Sequence, residues 1–519
     1  MFLDPRDLLP GQSLTADVAV VGAGPAGLAL ALALARAGRS VLLLESGGMR
    51  PDAASDALNA GTSNLTDYPF QTSRARAFGG ATTRWFGACV PLDEDDFTPR
   101  AWVPYSGWPI GAGDIAQDMG AARAFFGLPA RSDYEDALEE HPLATAGLAV
   151  KPVLFSQPND LGQAYRDDVR GDPNIRCILG VTITQLAQSA PGQISGLVAR
   201  HPGGSAFDIT AGAYVLAAGG LETPRLLLAS RDQAPNGVGN THDVVGRYHM
   251  EHPIRSVGVV SLARPGLGAG LGDFTEIRRH GDVRAQATLG LSAPMRRAHG
   301  LLDMHARAYR FHPLEADPAV IAAKALLGRP PPDGADRRLS ATLLARGLGK
   351  IARYGAWHYR QKLFASTRPE HLRLLAFVEQ EPDPENRITL SDQTDRFGTP
   401  LPHLSYAEST VMTHSLERTL HLMDAALRQA GVGALHSDPT TLAALKGYDS
   451  YGLHPMGSTR MSDDARMGVV DANLKVHGVA NLFVVGSSVF PTGGAANPTL
   501  TIVALALRLA RHLARLRSN

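Results

Sequence analysis

Cysteine is almost absent from the 519-residue chain: Cys89 and Cys177 are too few for a disulfide framework or a cysteine-built metal site. Charge of either sign is not in excess. Lys plus Arg number 50, as do Asp plus Glu, so no field draws the chain to nucleic acid or an anionic membrane. Uninterrupted apolar runs are also scarce. The N-terminus, MFLDPRDLLPGQSLTADVAVVG, lacks a basic stretch ahead of an apolar core, so no secretory leader is expected. The apolar stretch after Pro498 is broken by Arg508, Arg511 and Arg515 and does not read as membrane-spanning. No internal repeat is visible, and the short proline run at 330–332 is the nearest thing to low complexity. These absences lead to the expectation of a soluble, cytoplasmic protein of two or three domains.

What the chain does have is glycine, 54 residues of it, which suits tight turns and close approach of backbone to a ligand. Residues 17–21 (DVAVV) read as a strand, the stretch after Gly27 to about Ala37 as an apolar helix, and 40–44 as a second strand ending at Glu45. Between the first strand and the helix stand Gly22, Gly24 and Gly27 in the G-x-G-x-x-G spacing of a dinucleotide-binding turn. The first glycine makes the turn, the second admits a pyrophosphate, and the third lets helix and strand touch. The helix N-terminus then faces the phosphates, and Glu45 can accept both ribose hydroxyls of an adenosine. NAD and FAD both remain open on this motif.

Residues 74–97 (RARAFGGATTRWFGACVPLDEDDF) follow neither the helical nor the strand period. Gly79, Gly80, Thr82, Thr83 and Trp85 form a loop suited to laying N–H groups and small hydroxyls along an extended polar ligand. Further on come a strand-like run at 175–186, an alternating stretch at 193–210 suited to a small antiparallel meander, and a buried strand at 213–217. Ala218-Gly219-Gly220 and a helix from Glu222-Thr223-Pro224 make a second strand–glycine–helix junction. From about 250 to 450 such junctions thin out, and strands such as 256–262 and 374–379 suggest a mostly antiparallel sheet with helices. Residues 336–368 carry eight Lys/Arg against one acid. That pattern predicts a solvated helix face covering the site, with a membrane-surface or partner helix as the alternative. His249 and His252 (YHMEH) lack a third ligand in pattern, so no metal is expected.

The last stretch, Tyr451 to Leu505, offers His454 in a glycine-bounded loop, a strand at 481–485, a Gly/Ser/Pro-rich turn, Asn497, and an apolar helix from Pro498. Strand, glycine turn and helix start together make a ligand crevice in an open α/β sheet. Asn497 has two readings on its residues alone. It is a polar group in that crevice, or it is the N-cap of a helix with Pro498 at its first position.

Four segments in order resemble the glucose-methanol-choline (GMC) oxidoreductases: GAGPAGLALALALARAGRSVLLLESG, FGGATTRWFG, YVLAAGGLETPRLLLAS and HPMGSTRM…VVDANLKVHGVANLFVVGSSVFPTGGAANPT. NTHDVVGRYHMEHP and EQEPDPENRITLSD are similar to flanking segments of that family. In motif style the chain is nearer to pyranose oxidase-like proteins and bacterial sugar dehydrogenases than to glucose or choline oxidase.

The resemblance implies an α/β fold (α+β as a whole), with a Rossmann-like FAD-binding domain on a doubly wound parallel sheet and a substrate domain on a mostly antiparallel one. Domain limits are expected at 1–105, 171–250 and 451–519 for the FAD-binding parts, 106–170 for a covering segment, and 251–450 for the substrate domain. Gly22, Gly24, Gly27 and Glu45 match the FAD pyrophosphate and ribose positions, and Ile183 a backbone contact to adenine. Gly79, Gly80, Thr82, Thr83 and Trp85 match the loop along the isoalloxazine, while Gly486 and Ser487 lie at the ribityl chain. The helix beginning at Pro498 would point its positive end at the flavin. His454 matches the general base and Asn497 its polar partner, with hydride passing to flavin N5. Glu379 and Gln380 are expected to reach the substrate pocket. Where some relatives carry a flavin-linking His, this chain has Arg84, so FAD is expected to be non-covalent. The implied activity is oxidation of an alcohol on a carbohydrate-like substrate (sugar, glycoside or aminocyclitol), with O2 or another acceptor taking the electrons. A GMC-fold lyase or other non-redox flavoprotein is the alternative.

Overall fold

The computed structural model describes residues 1–5, 13–65, 68–203, 206–265, 271–327, 341–363, 369–446 and 449–516. One sheet of eight strands is built on the segment Ser13–Val21. This strand is parallel to Val41–Glu45 on one side and to Ala206–Leu216 on the other. Ile175–Leu179 and Phe2–Leu3 extend the first side, and Leu482–Val484 pairs parallel beyond Ala206–Leu216. The strand order therefore runs outward in both directions from Ser13–Val21, as the glycine junctions predict, and leaves a crevice at the carboxyl ends. Gln193–Arg200 and Thr182–Ala190 join the long strand Ala206–Leu216 in an antiparallel meander.

The strand-like run expected over 175–186 is two strands. Gly180 breaks it in the left-handed region (φ 72°), so Ile175–Leu179 stays in the parallel sheet and the chain turns away. The helix Pro25–Arg36 buries nearly all of its alanines and leucines because it is covered on both sides. The sheet lies under it, and the apolar face of the terminal helix Thr499–Arg515 lies over it. Arg511 on the polar face of that helix pairs with Asp118 at 2.6 Å. Among the described residues no helix is long and apolar enough to cross a membrane.

The helix expected from Glu222 begins earlier, at Gly219, and holds Pro224 inside its first turns. Proline has no N–H for the carbonyl four residues before it. That carbonyl, on Gly220, instead accepts the Ser458 hydroxyl at 2.6 Å, which ties the helix to the His454 loop.

A second sheet of nine strands is antiparallel throughout. Its centre is Pro253–Leu262, His371–Val378, Met304–Phe311 and Val283–Leu291. It also takes in Leu148–Phe155, Ala88–Cys89 and Ser450–Tyr451 from outside the middle stretch. Within the basic segment, Ala341–Leu363 is helical and lies against Pro318–Leu326, with Lys350 paired to Asp317 at 2.6 Å. None of its described residues lines the central cavity, so the expected cover over the site is not what this helix supplies. Residues 336–340 and 364–368 of that segment, and the prolines at 330–332, lie outside the described residues.

Gly27 sets the distance between the first helix and its strand. A Cβ there would sit 1.9 Å from the Gly22 carbonyl oxygen, which is backbone and cannot swing away. Gly27→Ala is expected to cost roughly 1–3 kcal/mol, and urea unfolding of the purified variant checks it.

Candidate active site

The carboxyl ends of the parallel strands open into a cavity of about 580 Å³ that continues to the antiparallel sheet. Gly22, Gly24, Glu45, Gly80, Thr82, Trp85, Ile183, Gly486, Ser487, Pro498, Asn497 and His454 all line it. Gly27, Gly79 and Thr83 do not. Gly27 spaces the helix, as described. Gly79 (φ 101°) takes the turn that brings its N–H 2.9 Å from the Ala23 carbonyl, and the Thr83 hydroxyl closes the next turn onto Gly80 O at 2.9 Å. These residues shape the glycine loops from behind. A Cβ on Gly80 would lie 2.8 Å from Gly24 Cα, so the two loops touch because Gly80 is bare.

The residues at the parallel-sheet end fit FAD. A Cβ at Gly219 or Gly486 would meet no atom within 4 Å, so both backbones face open cavity that a ligand can approach closely. The first helix offers its N-terminal N–H groups there with no side-chain cap. Glu45 is fixed by the N–H groups of Ala23 (2.9 Å) and Gly47 (2.8 Å), and burial raises its pKa above the usual carboxylate value. Nearby Arg74, Arg76 and Arg225 converge on Glu222 at 2.7, 2.9 and 3.2 Å. Burial opposes ionisation of Glu222, yet Arg76, Arg225 and Arg74 together hold its carboxyl well below the ordinary range. Motif reading missed this cluster, because its arginines carry no spacing signal.

At the other end, His454 rides on a loop held from both sides. Met250 and Met456 exchange backbone hydrogen bonds (3.0 and 2.9 Å), and Gly452 N–H donates to His252 O at 2.7 Å. The buried Glu251 accepts the His454 backbone N–H at 2.8 Å and the Tyr68 hydroxyl at 2.6 Å. Burial pushes Glu251 up to about 7.

The side chain of His454 lies between two partners. Its Nδ1 is 3.0 Å from Nδ1 of His252, and its Nε2 is 3.3 Å from Nδ2 of Asn497. The other nitrogen of His252, Nε2, is 2.9 Å from the Gly494 carbonyl. A carbonyl only accepts, so His252 carries its proton on Nε2 and offers the lone pair of Nδ1. His454 must then donate through Nδ1, which leaves its Nε2 lone pair toward the cavity. The Asn497 amide N–H points at that lone pair. Burial pushes His252 down to about 4, so it stays neutral and the chain of donors keeps its sense. Burial first, then His252, His305 and Arg307, hold His454 well below its ordinary value.

The geometry decides between the two readings of Asn497. Pro498, not Asn497, occupies the N-cap position of Thr499–Arg515, and no side chain caps that helix. The Asn497 amide turns to His454 instead, and its Oδ1 is buried without a partner. Glu379 and Gln380, expected at the pocket, do not line it. Glu379 is held by the Arg100 guanidinium (Nη1 to Oε2 3.0 Å), and Gln380 Oε1 accepts the Glu251 N–H at 2.9 Å. Both are buried supports of the loop beneath the site. Arg84 lines the cavity with its guanidinium paired to Asp56. His252 was read only as half of a possible metal pair and within a family-like segment, Glu251 only within that segment, and Tyr68 carried no signal.

The His454 ring should give a neutral imidazole NMR pattern at pH 7, with the Nε2 resonance that of an unprotonated nitrogen. No titration is expected between pH 6.5 and 8, since the proton binds only below the ordinary value. A titrating midpoint at or above pH 6.5 would contradict the donor order.

The family model for FAD dependent oxidoreductases matches residues 17–245, and that for GMC oxidoreductases matches residues 382–506. Paromamine 6'-oxidase of Streptomyces fradiae is 26% identical, with 96% of this chain and 91% of that protein covered. Fructose dehydrogenase large subunit of Gluconobacter japonicus is 27% identical over 64% of this chain and 53% of that one. The solved structure of pyridoxine 4-oxidase from Mesorbium loti has the same fold, with a TM-score of 0.57 at 18% identity and coverage of 96% and 98%. The two matched segments meet at one crevice, the first bringing the glycine cradle and the second His454 and Asn497, and the chain belongs to the GMC oxidoreductases as an FAD-dependent enzyme.

Proposed function

We propose that this enzyme oxidises a hydroxyl group of a carbohydrate-like substrate to a carbonyl, with His454 as general base and Asn497 as its partner. The observation that carries the reading is the lone pair of His454 Nε2, aimed into the cavity beside the Asn497 amide. The relatives named above as oxidase and dehydrogenase of paromamine and fructose support a sugar, glycoside or aminocyclitol as substrate class. FAD, when bound, supplies the acceptor for the hydride that leaves the carbinol carbon.

The chain's own part is proton transfer and placement. Nε2 of His454 takes the hydroxyl proton, and neutral imidazole is the competent form. The imidazolium that results is shared toward His252 through the Nδ1 contact. When the hydroxyl enters, its oxygen replaces His454 Nε2 as acceptor of the Asn497 Nδ2 N–H, which orients the oxygen and frees the Nε2 lone pair for the proton. The uncapped start of Thr499–Arg515, whose Pro498 and Thr499 line the cavity, brings the positive end of a helix dipole to the same place. The segments 1–105, 171–250 and 451–519 act together as the cofactor-binding unit, 106–170 as a cover, and 251–450 as the substrate wall. Arg84 is engaged by Asp56 and stays protonated, which supports FAD held without a covalent bond. Both cysteines are buried and free, which suits the cytoplasm. O2 or another small acceptor would then reoxidise the enzyme.

His454→Ala should keep its flavin and lower turnover by roughly 10²–10⁴-fold. Asn497→Ala should lower it by about tenfold, the worth of one lost hydrogen bond to the reacting oxygen. An anaerobic flavin spectrum taken while sugars, glycosides and cyclitols are added reads both, and air admitted afterwards tests O2 as acceptor. Near-wild-type bleaching by His454→Ala would remove it as the base. The kcat/KM profile should be level from pH 6.5 upward and fall at lower pH, because His454 is protonated only below its ordinary value. Acid precipitation should leave the yellow colour in the supernatant.

A further inference from the structure

One cavity side chain is given no contact with substrate or cofactor in that reading. Arg307 lies on Met304–Phe311, opposite Leu375 of the neighbouring antiparallel strand and two residues from Tyr309. All three line the cavity with Phe377. The guanidinium carbon is 5.2 Å from the Phe377 ring centroid and 5.7 Å from that of Phe155, and the residue is only 9% exposed. Among the described residues no carboxylate pairs with it. Its Nε is buried without an acceptor, and the polar side chain acting on it is the Tyr309 hydroxyl. The arginines at the other end of the cavity differ, since Arg74, Arg76 and Arg225 all share Glu222.

A guanidinium cannot shed its proton, so Arg307 is a permanent cation taken out of water. Aromatic faces offset part of that cost, but the in-plane N–H groups need an acceptor. We propose that Arg307 anchors an oxyanion, a carboxylate or phosphate, carried by the substrate. This rests on the reading of the cavity as an alcohol-oxidising site. The position separates this anion from the cofactor's phosphates. Arg307 belongs to the antiparallel wall, whereas the bare glycine backbones and the first helix N-terminus belong to the parallel sheet. Phe377 links the anchor to the chemistry, with its ring centroid 6.2 Å from that of His454. A substrate with its acid group on Arg307 and its hydroxyl at His454 Nε2 would lie across that ring. Sugar acids and sugar phosphates have this form, and the planar N–H fork of arginine matches either oxyanion in a two-bond contact.

The test uses purified holoenzyme of wild type, R307K and R307Q, with flavin content confirming that each is folded. Calorimetric titration with acetate should show binding to wild type and R307K, weakened about tenfold or more in R307Q. Equal acetate affinity in R307Q and wild type, or none in wild type, overturns the assignment. In parallel, anaerobic flavin bleaching is followed with glucose, glucuronate and glucose 6-phosphate. Preference of the wild type for an anionic sugar, lost in R307Q, supports the anchor. Faster bleaching by glucose than by both anions overturns it while leaving alcohol oxidation standing. Bleaching by no alcohol at all counts against the oxidation reading itself, and the acetate titration still decides on Arg307.

Discussion

Two imidazole nitrogens 3.0 Å apart, Nδ1 of His252 and Nδ1 of His454, can hold one proton between them, and the arrangement around them says whose it is. The Gly494 carbonyl fixes the far side of His252, and from there each donor has one possible direction until a lone pair emerges at His454 Nε2. The carbonyl is placed by a turn that only glycine can make. Gly494 has φ 53°, and a Cβ there would stand 2.4 Å from the Asp96 carboxylate. Asp96 is buried, and burial, then Glu379 and Asp93, push its pKa above the usual carboxylate value.

The groups that fix the two rings are held by hydrogen bonds, as orientation of a base requires. Glu251 reaches from the segment before His252 to the backbone of His454, so one carboxylate sets the spacing of the two loops. Gln380 positions Glu251, and Arg100 holds Glu379 next door. Ser458 closes the far end of the loop onto a carbonyl left free by Pro224. Each contact is modest by itself, about 1 kcal/mol for a neutral hydrogen bond. Their joint effect is positional: the ring cannot turn without stranding a buried polar group.

The cavity has walls of two kinds, and this division gives the site its polarity. On the parallel sheet, strand ends and helix starts expose backbone N–H groups through bare glycines, an arrangement for phosphate and ribose. On the antiparallel sheet, alternate side chains of paired strands face inward, so Arg307, Tyr309, Leu375 and Phe377 form a patterned surface with side-chain chemistry. A cofactor shared by many enzymes needs the first kind of wall. Selection of one substrate among many needs the second.

Much of this was legible from residues alone. The glycine spacing at 22–27, the acid at Glu45 and the apolar helix after Asn497 follow from steric rules that involve a residue and its near neighbours, so the sequence carries them directly. The strand–glycine–helix junctions did the same for the parallel sheet, although Gly180 divided one expected strand and Pro224 did not delay its helix. Contacts across the chain were a different matter. That His252 meets His454, that Asn497 turns away from the helix it precedes, that Glu379 serves Arg100, and that Arg307 faces the cavity were decided by how two sheets close on each other. Burial and the demand that buried polar groups find partners fix that closure, and those partners stand far apart in the chain, 202 residues for His252 and His454 and 279 for Arg100 and Glu379.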